Sequence, residues 1–300
     1  MDPKDLELIT LLTQYGRWDE TALSSRLSIS PDNVGRRIRL LLKEGQVSGF
    51  SAFFDRRMFG YDTTFLKLHF DMRSMDRVIA EVSGMPQVAS VYPNMDDFML
   101  VEVVHWDGAS LKAAIKALER AAHPYTVSAH IAPQLPEEVP EPPKGRSLEL
   151  LKLLVKDGRA DLESLSSSIG LNTEKTGERL KDLLERTGVK IKPIVNEHLI
   201  EPFPTFSVLI ELIEGCTLDT CYSDLTRISK GSWDQLPLGS PPGIWLHCFG
   251  SDLHAMDTML ERYRRMDEIR DVMVILPDSL VTKRSVDINI LRGSKKNRLF

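Results

Sequence analysis

Cysteine is scarce in this chain: three in 300 residues, at Cys216, Cys221 and Cys248. An odd, sparse set excludes a disulfide framework and suits a reducing compartment. No run approaches the roughly 18 uninterrupted apolar residues that a bilayer crossing requires, so no membrane partner is expected. The opening residues Met1-Asp2-Pro3-Lys4-Asp5 are charged and lead straight into a helical pattern. That excludes a secretory leader and predicts a cytoplasmic protein. A positive excess is missing as well. With 38 Lys and Arg against 43 Asp and Glu the net charge is −5, so any DNA contact has to come from a local basic patch. No nucleophile–base pair, phosphate loop or metal cluster stands out, which predicts no enzymatic activity, no cofactor and no metal. Cys216 and Cys221 with His247 and Cys248 are the nearest approach to a zinc set. Adjacent strand residues such as His247 and Cys248 point to opposite faces, so these thiols read as buried or idle.

What the chain does have is an internal repeat. Residues 6–47 return at 148–189 in unbroken register, an offset of 142 that carries Gly16-Arg17 onto Gly158-Arg159. The same shift carries Leu23-Ser24-Ser25 onto Leu165-Ser166-Ser167, Gly35 onto Gly177, Arg37 onto Arg179 and Leu41-Leu42 onto Leu183-Leu184. Solenoid periods run about 20–50 residues, so this spacing signals a whole domain used twice.

Apolar periodicity predicts helices over 5–14, 20–27 and 31–44, the third opened by Ser30 as N-cap, Pro31 at the first helical position and Asp32 at the positive dipole end. Residues 46–54 then form a wing. Strands over 63–72, 88–92, 98–105 and 126–131 with helices over 75–83 and 110–122 give the split βαββαβ order of a ferredoxin-like domain. In the second copy the strands fall at 205–213, 244–250 and 269–276, with helices at 218–228 and 252–266 and a looser connection through 237–243. The fold class is therefore α+β: two tandem units, each a winged helix-turn-helix followed by a ferredoxin-like domain. The boundaries are 1–54 and 55–133 for the first unit, a Pro- and acid-rich linker at 134–145, and 146–197 and 198–281 for the second. A basic tail at 282–300 is expected to fray.

A short helix, a tight turn and a second helix rich in arginine is the arrangement that places its second helix in the major groove. Over residues 30–44, Arg36, Arg37, Arg39 and Lys43 against Asp32 and Glu44 leave a charge of +2; over 172–186, Lys175, Arg179, Lys181 and Arg186 against Glu174, Glu178, Asp182 and Glu185 leave none. The first copy is thus the expected DNA reader. Asp32, Asn33, Arg36 and Arg37 are placed for base edges, and Arg39, Lys43, Ser24 and Ser25 for phosphates.

Gly16-Arg17 before the second helix, Leu23-Ser24 within it, Ser30-Pro31, Arg36-Arg37-Ile38-Arg39 and Phe59-Gly60-Tyr61-Asp62 together resemble the leucine-responsive regulator (Lrp/AsnC) family of transcription regulators. The resemblance covers the first copy well, the second copy's helices in part and its sheet in outline. It implies a regulator that binds double-stranded DNA and a ferredoxin-like domain that dimerises and often takes an amino acid. The family's effector loop would fall on Asn94, Met95, Asp96 and Asp97. The glycine expected there is absent, so a small-molecule effector is left open and an amino acid is disfavoured. Two copies in one chain imply an intrachain pseudo-dimer, and two chains could pair in addition as a homodimer. Two alternatives stand beside this. Siroheme decarboxylases share the architecture, which would call on Arg56, Arg57 and His105, although their histidine-bearing motif is not found after the wing. A non-DNA-binding sensor or scaffold is disfavoured by the intact arginine cluster.

Overall fold

The computed structural model describes residues 1–94, 97–122, 127–229, 232–276 and 281–293. In chain order the first copy forms α1 (Pro3–Gln14), α2 (Glu20–Leu27), α3 (Pro31–Lys43), β1 (Val47–Phe53), β2 (Asp62–His69), α4 (Met75–Gly84), β3 (Val88–Pro93), β4 (Phe98–His105), α5 (Gly108–Ala122) and β5 (Val127–Pro133). The order repeats as α6 (Arg146–Lys156), α7 (Leu162–Ile169), α8 (Thr173–Thr187), β6 (Lys190–Val195), β7 (Thr205–Leu212), α9 (Leu218–Ile228), β8 (Ser232–Ser240), β9 (Pro242–Phe249), α10 (Leu253–Arg264) and β10 (Ile269–Ile275). Two further elements follow, β11 (Val281–Thr282) and α11 (Arg284–Leu291). Residues 134–145 carry neither helix nor strand. The chain divides into two compact units.

The first unit combines Met1–Gly60 with Glu137–Leu199 and the segment from Asp287. Its two helical triads interlock. The wing strand β1 pairs antiparallel with β6, from Val47↔Val195 to Phe53↔Lys190, so the wing is a ribbon built from both copies. α1 packs on β6 while α6 packs on β1. The Arg17 guanidinium donates to the Gly158 and Ala160 carbonyls at 2.7 and 3.1 Å, and Arg159 returns the contact to the Gly16 and Trp18 carbonyls, both at 3.2 Å. Such reciprocity is the mark of an isologous interface. The glycines beside these arginines make room for it. A Cβ on Gly16 would collide with the Ile191 carbonyl, and one on Gly158 would come within 2.7 Å of Ile191 Cγ2 and 3.0 Å of the Ser51 nitrogen.

The second unit, Tyr61–Pro136 with Ile200–Val286, holds a nine-stranded sheet in the order β10-β7-β9-β8-β5-β2-β4-β3-β11. Its logic is an exchange. β5 pairs with β2 and then, at Ala132↔Ser240 and Pro133↔Leu238, with β8 of the other copy. β10 pairs with β7, and β11 after it pairs with β3 through Val281↔Val91 and Thr282↔Ser90. Each copy's last strand thereby covers an edge that the other would leave unpaired. α4 and α5 cover one face of the first half-sheet (Leu66, Leu68, Val101, Val103), and α9 and α10 cover the matching face of the second (Val208, Ile210, Leu246). The opposite faces of both halves contribute to one shared core, in which Trp245 meets Phe65 at 5.0 Å and Tyr92 at 4.8 Å edge-on.

Three expectations are refined. Residues 237–243, read as a loose connection from their Pro and Gly, mostly belong to the hairpin of β8 and β9. Pro237 is tolerated there because its carbonyl, not an N–H, is what the sheet uses, accepting from the Gln134 nitrogen at 2.8 Å. The basic tail, expected to fray, begins instead with α11, which buries Val286, Ile290 and Leu291. Cys221 and Cys248 are buried in the core beneath α9 and α10, with Cys216 packed against it. Among the described residues no helix is long and apolar enough to cross a membrane.

The close approach at Gly16 predicts that Gly16→Ala destabilises the protein by roughly 1–3 kcal/mol through forced overpacking. Gly84 has open space around it, so Gly84→Ala should be neutral or stabilising by up to about 1 kcal/mol. Urea denaturation of both variants tests this; equal effects would contradict the interlock.

Candidate nucleic-acid interface

The helix-turn-helix is built by caps. Asp19 accepts the Ala22 nitrogen at 2.8 Å to start α2, and Ser28, at φ 55°, ends it in the left-handed region. Ser30 accepts the Asn33 nitrogen at 3.3 Å to start α3, with Pro31 in its first turn. Val34, Ile38 and Leu41 anchor α3 to the core. Gly35 faces α2: a Cβ there would lie 3.3 Å from the mobile tip of Arg39 and in ordinary contact with Glu20 Cγ at 3.5 Å.

Not all of the residues expected to touch DNA are free to do so. Arg37 is turned inward, only 15% exposed, and pairs with Asp2 at 2.8 Å and Asp5 at 2.6 Å. Burial works against its charge, but the two carboxylates outweigh it and hold the guanidinium above its ordinary pKa. Asn33 accepts from Arg36 and Arg37 at 3.2 and 3.1 Å. Ser24 is buried, its hydroxyl donating to the Thr21 carbonyl at 2.8 Å. Arg37 and Ser24 are therefore corrected from contact residues to packing residues. The second copy repeats the role of Ser24, since Ser166 is buried and donates to the Leu162 carbonyl at 2.5 Å, whereas Arg179 stays exposed and reaches only the Ser147 hydroxyl of α6 at 3.4 Å. Ser25, Asp32, Arg36, Arg39 and Lys43 remain exposed, with Asn33 half-buried.

One cation escaped the sequence reading. Arg26 is exposed on α2, the helix that crosses the backbone in this kind of domain, with its guanidinium 5.9 Å above the Trp18 ring. Trp18 itself stacks on Tyr15 at 3.9 Å. A helix-2 arginine one turn behind the apolar Leu23 was the available signal.

On α8 every charged residue is exposed, and the charges satisfy one another: Lys181 with Glu185 at 4.0 Å and Arg186 with Asp182.

The two described residues of the expected effector loop, Asn94 and Asp97, differ in exposure. Asn94 is buried and its Oδ1 accepts from the Leu276 nitrogen at 2.9 Å, which makes it a tie between the half-sheets. Asp97 is exposed, 3.8 Å from His69. Met95 and Asp96 lie outside the described residues. The residues named for a tetrapyrrole are committed to structure: Arg56 pairs with Asp287 at 2.7 Å, Arg57 with Asp55 at 2.6 Å, and His105 is buried beside the Thr64 hydroxyl at 2.9 Å. Burial lowers the His105 pKa, against the pull of Asp62.

The inward pairing of Arg37 has a pH signature. Burial raises the Asp2 carboxyl, but hydrogen bonds from Arg37 and from the Asp5 and Lys4 nitrogens outweigh it and hold the pKa below its usual value. A carboxylate depressed by folding adds stability above its unfolded pKa, about 4, and loses it as pH falls through the folded value. Arg37→Ala should therefore lower stability at neutral pH, and the deficit should shrink below about pH 4. Urea midpoints measured from pH 7 down to acid check this, and a deficit that is absent or independent of pH would contradict the pairing.

No protein-family model matches the chain. Two HTH-type transcriptional regulators, of Pyrococcus horikoshii and Pyrococcus abyssi, are 26% and 25% identical over 89 residues, 29% of this chain and 56% of each relative. The chain thus spans about half the length of the curated relatives it matches, and their names agree with the regulator resemblance in the residues. Among solved structures, the siroheme decarboxylase NirDL is similar over 93% of this chain and 92% of its own, with a TM-score of 0.56 and 14% identity. Its complex with an iron-uroporphyrin III analogue gives 0.54 and 15% over 97% of this chain and 98% of that one. At such identities the likeness is one of fold, but it spans both units. The expectation of no enzymatic activity is overturned by this likeness, because this whole architecture occurs in an enzyme.

Proposed function

We propose that the chain is a sequence-specific DNA-binding transcription regulator of Lrp/AsnC type, formed by tandem duplication of one unit. α3 is its main reader, and the second copy completes an intrachain pseudo-dimer. The observation that carries this reading is the exposed cationic surface of α3, Arg36, Arg39 and Lys43, on a helix whose other side is fixed by Val34, Ile38 and Leu41. Arg36, in the N-terminal half, is placed for base edges with Asp32 and Asn33. Arg39, Lys43, Ser25 and Arg26 are placed for phosphates. The regulator relatives support the same reading.

Fluorescence anisotropy against DNA upstream of the protein's own gene, with a scrambled duplex as control, tests it across a salt series. Arg39→Ala should weaken binding to every duplex about equally and flatten the salt slope by roughly one unit, while Arg36→Ala should also relax specificity, at roughly 1–3 kcal/mol. Wild-type affinity in both variants would refute the assignment of α3.

A second reading, a tetrapyrrole enzyme, draws support from the full-length likeness to NirDL. Titration with an iron-uroporphyrin distinguishes the two. A saturable shift of its Soret band favours the enzyme, whereas duplex binding lost with Arg36 and Arg39 favours the regulator.

A further inference from the structure

A symmetric dimer with two equal reading helices selects a palindromic operator, because the symmetry of the site mirrors that of the protein. This chain has the symmetric frame without the equal helices. The reciprocal contacts of Arg17 and Arg159 and the β1–β6 ribbon place α3 and α8 in equivalent positions. The offset of 142 then pairs their surface residues one to one: Asp32 with Glu174, Asn33 with Lys175, Arg36 with Glu178, Arg39 with Lys181, Leu40 with Asp182 and Lys43 with Glu185. Across these positions α3 carries three cations and one acid, whereas α8 carries two cations and four acids. The other exposed charges, Glu44 after α3 and Arg179 and Arg186 on α8, bring the exposed totals to +1 and 0, with Glu178 and Glu185 standing where α3 carries Arg36 and Lys43. One α8 cation here, Lys181, already faces Glu185.

The consequence is electrostatic. Duplex binding draws much of its free energy from cations that neutralise phosphates, and a carboxylate standing in place of such a cation is repelled from the same backbone. We infer that one chain reads one half-site, through α3 alone, and that α8 is held off the DNA by the carboxylates of Glu178 and Glu185, which stand where α3 carries Arg36 and Lys43. This inference rests on the regulator reading above and adds to it the form of the target: a non-palindromic duplex block of about one helical turn.

Selection of the full chain on a pool of randomised duplexes, followed by the mass of the complexes formed, tests it. The expected result is a single asymmetric block bound by one chain, or a palindrome bound by two. A palindrome occupied by one chain would overturn the inference and leave the regulator reading standing. A pool from which no sequence is enriched would overturn both. On the selected duplex, Arg36→Ala/Arg39→Ala should cost roughly tenfold or more in affinity. Lys175→Ala/Lys181→Ala, at exposed positions of α8, should cost less than about twofold, since those cations face no phosphate. Equal losses in the two double variants would also overturn it. Because all four side chains lie outside the core, thermal unfolding should show both variants folded.

Discussion

The two copies meet where a side chain is missing. At Gly16 the chain comes so close to the Ile191 carbonyl that no Cβ fits, and at Gly158 it leans on Ile191 and the backbone of Ser51 and Phe50. The arginine after each glycine then reaches across to carbonyls of the other copy. Burial lowers the pKa of both guanidiniums, and the charge of Arg159 adds to the cost for Arg17. Arginine remains charged under such conditions, and the carbonyl dipoles together with the carboxylates of Asp157, Glu20 and Asp19 offset the burial. Lysine would offer a compact ammonium in place of the planar fork whose separate nitrogens reach the two carbonyls here. From this contact follow the β1–β6 ribbon, the packing of each first helix on the other copy's strand, and the equivalence of α3 and α8.

The repeat also separates structure from function. Positions alike in both copies keep related contacts: Ser24 and Ser166 bond to backbone within their helices, and Arg37 and Arg179 both reach toward their first helix, Arg37 through partly buried ion pairs and Arg179 through one exposed bond to Ser147. Positions that differ, Arg36 against Glu178 or Leu40 against Asp182, lie on the exposed surface. A charge run read from one copy alone cannot make this distinction. Arg36 and Arg37 are adjacent and chemically identical, yet one is exposed and the other is held by Asp2 and Asp5.

The helices were legible because their signals are local: Ser30-Pro31-Asp32 announces the start of α3, and Leu8, Ile9 and Leu12 mark the buried face of α1. The βαββαβ order of the first sheet domain followed from short apolar runs between turns, but β8 of the second was read as a loose connection. What a linear reading missed depends on partners far along the chain. The wing pairs with a strand more than a hundred residues away. Pro237 is acceptable in β8 only because β5 arrives to use its carbonyl. α11 is stabilised by Val286, Ile290 and Leu291, burial that a basic composition conceals. Asn94, sought as a ligand contact, is instead a tie to Leu276.

Tethering changes what each copy is required to do. In a dimer of separate chains one gene encodes both reading helices, so they are necessarily identical. Here the partner is held at a high effective concentration by residues 134–145, and the interlock persists whatever the second helix carries on its surface. α8 keeps the packing residues Leu180 and Leu183 that hold the frame, while its outer face has become self-neutralising. The same freedom explains why the fold alone does not decide function. A frame whose edges and interfaces are satisfied internally can support DNA reading on one helix or chemistry in its sheet domain.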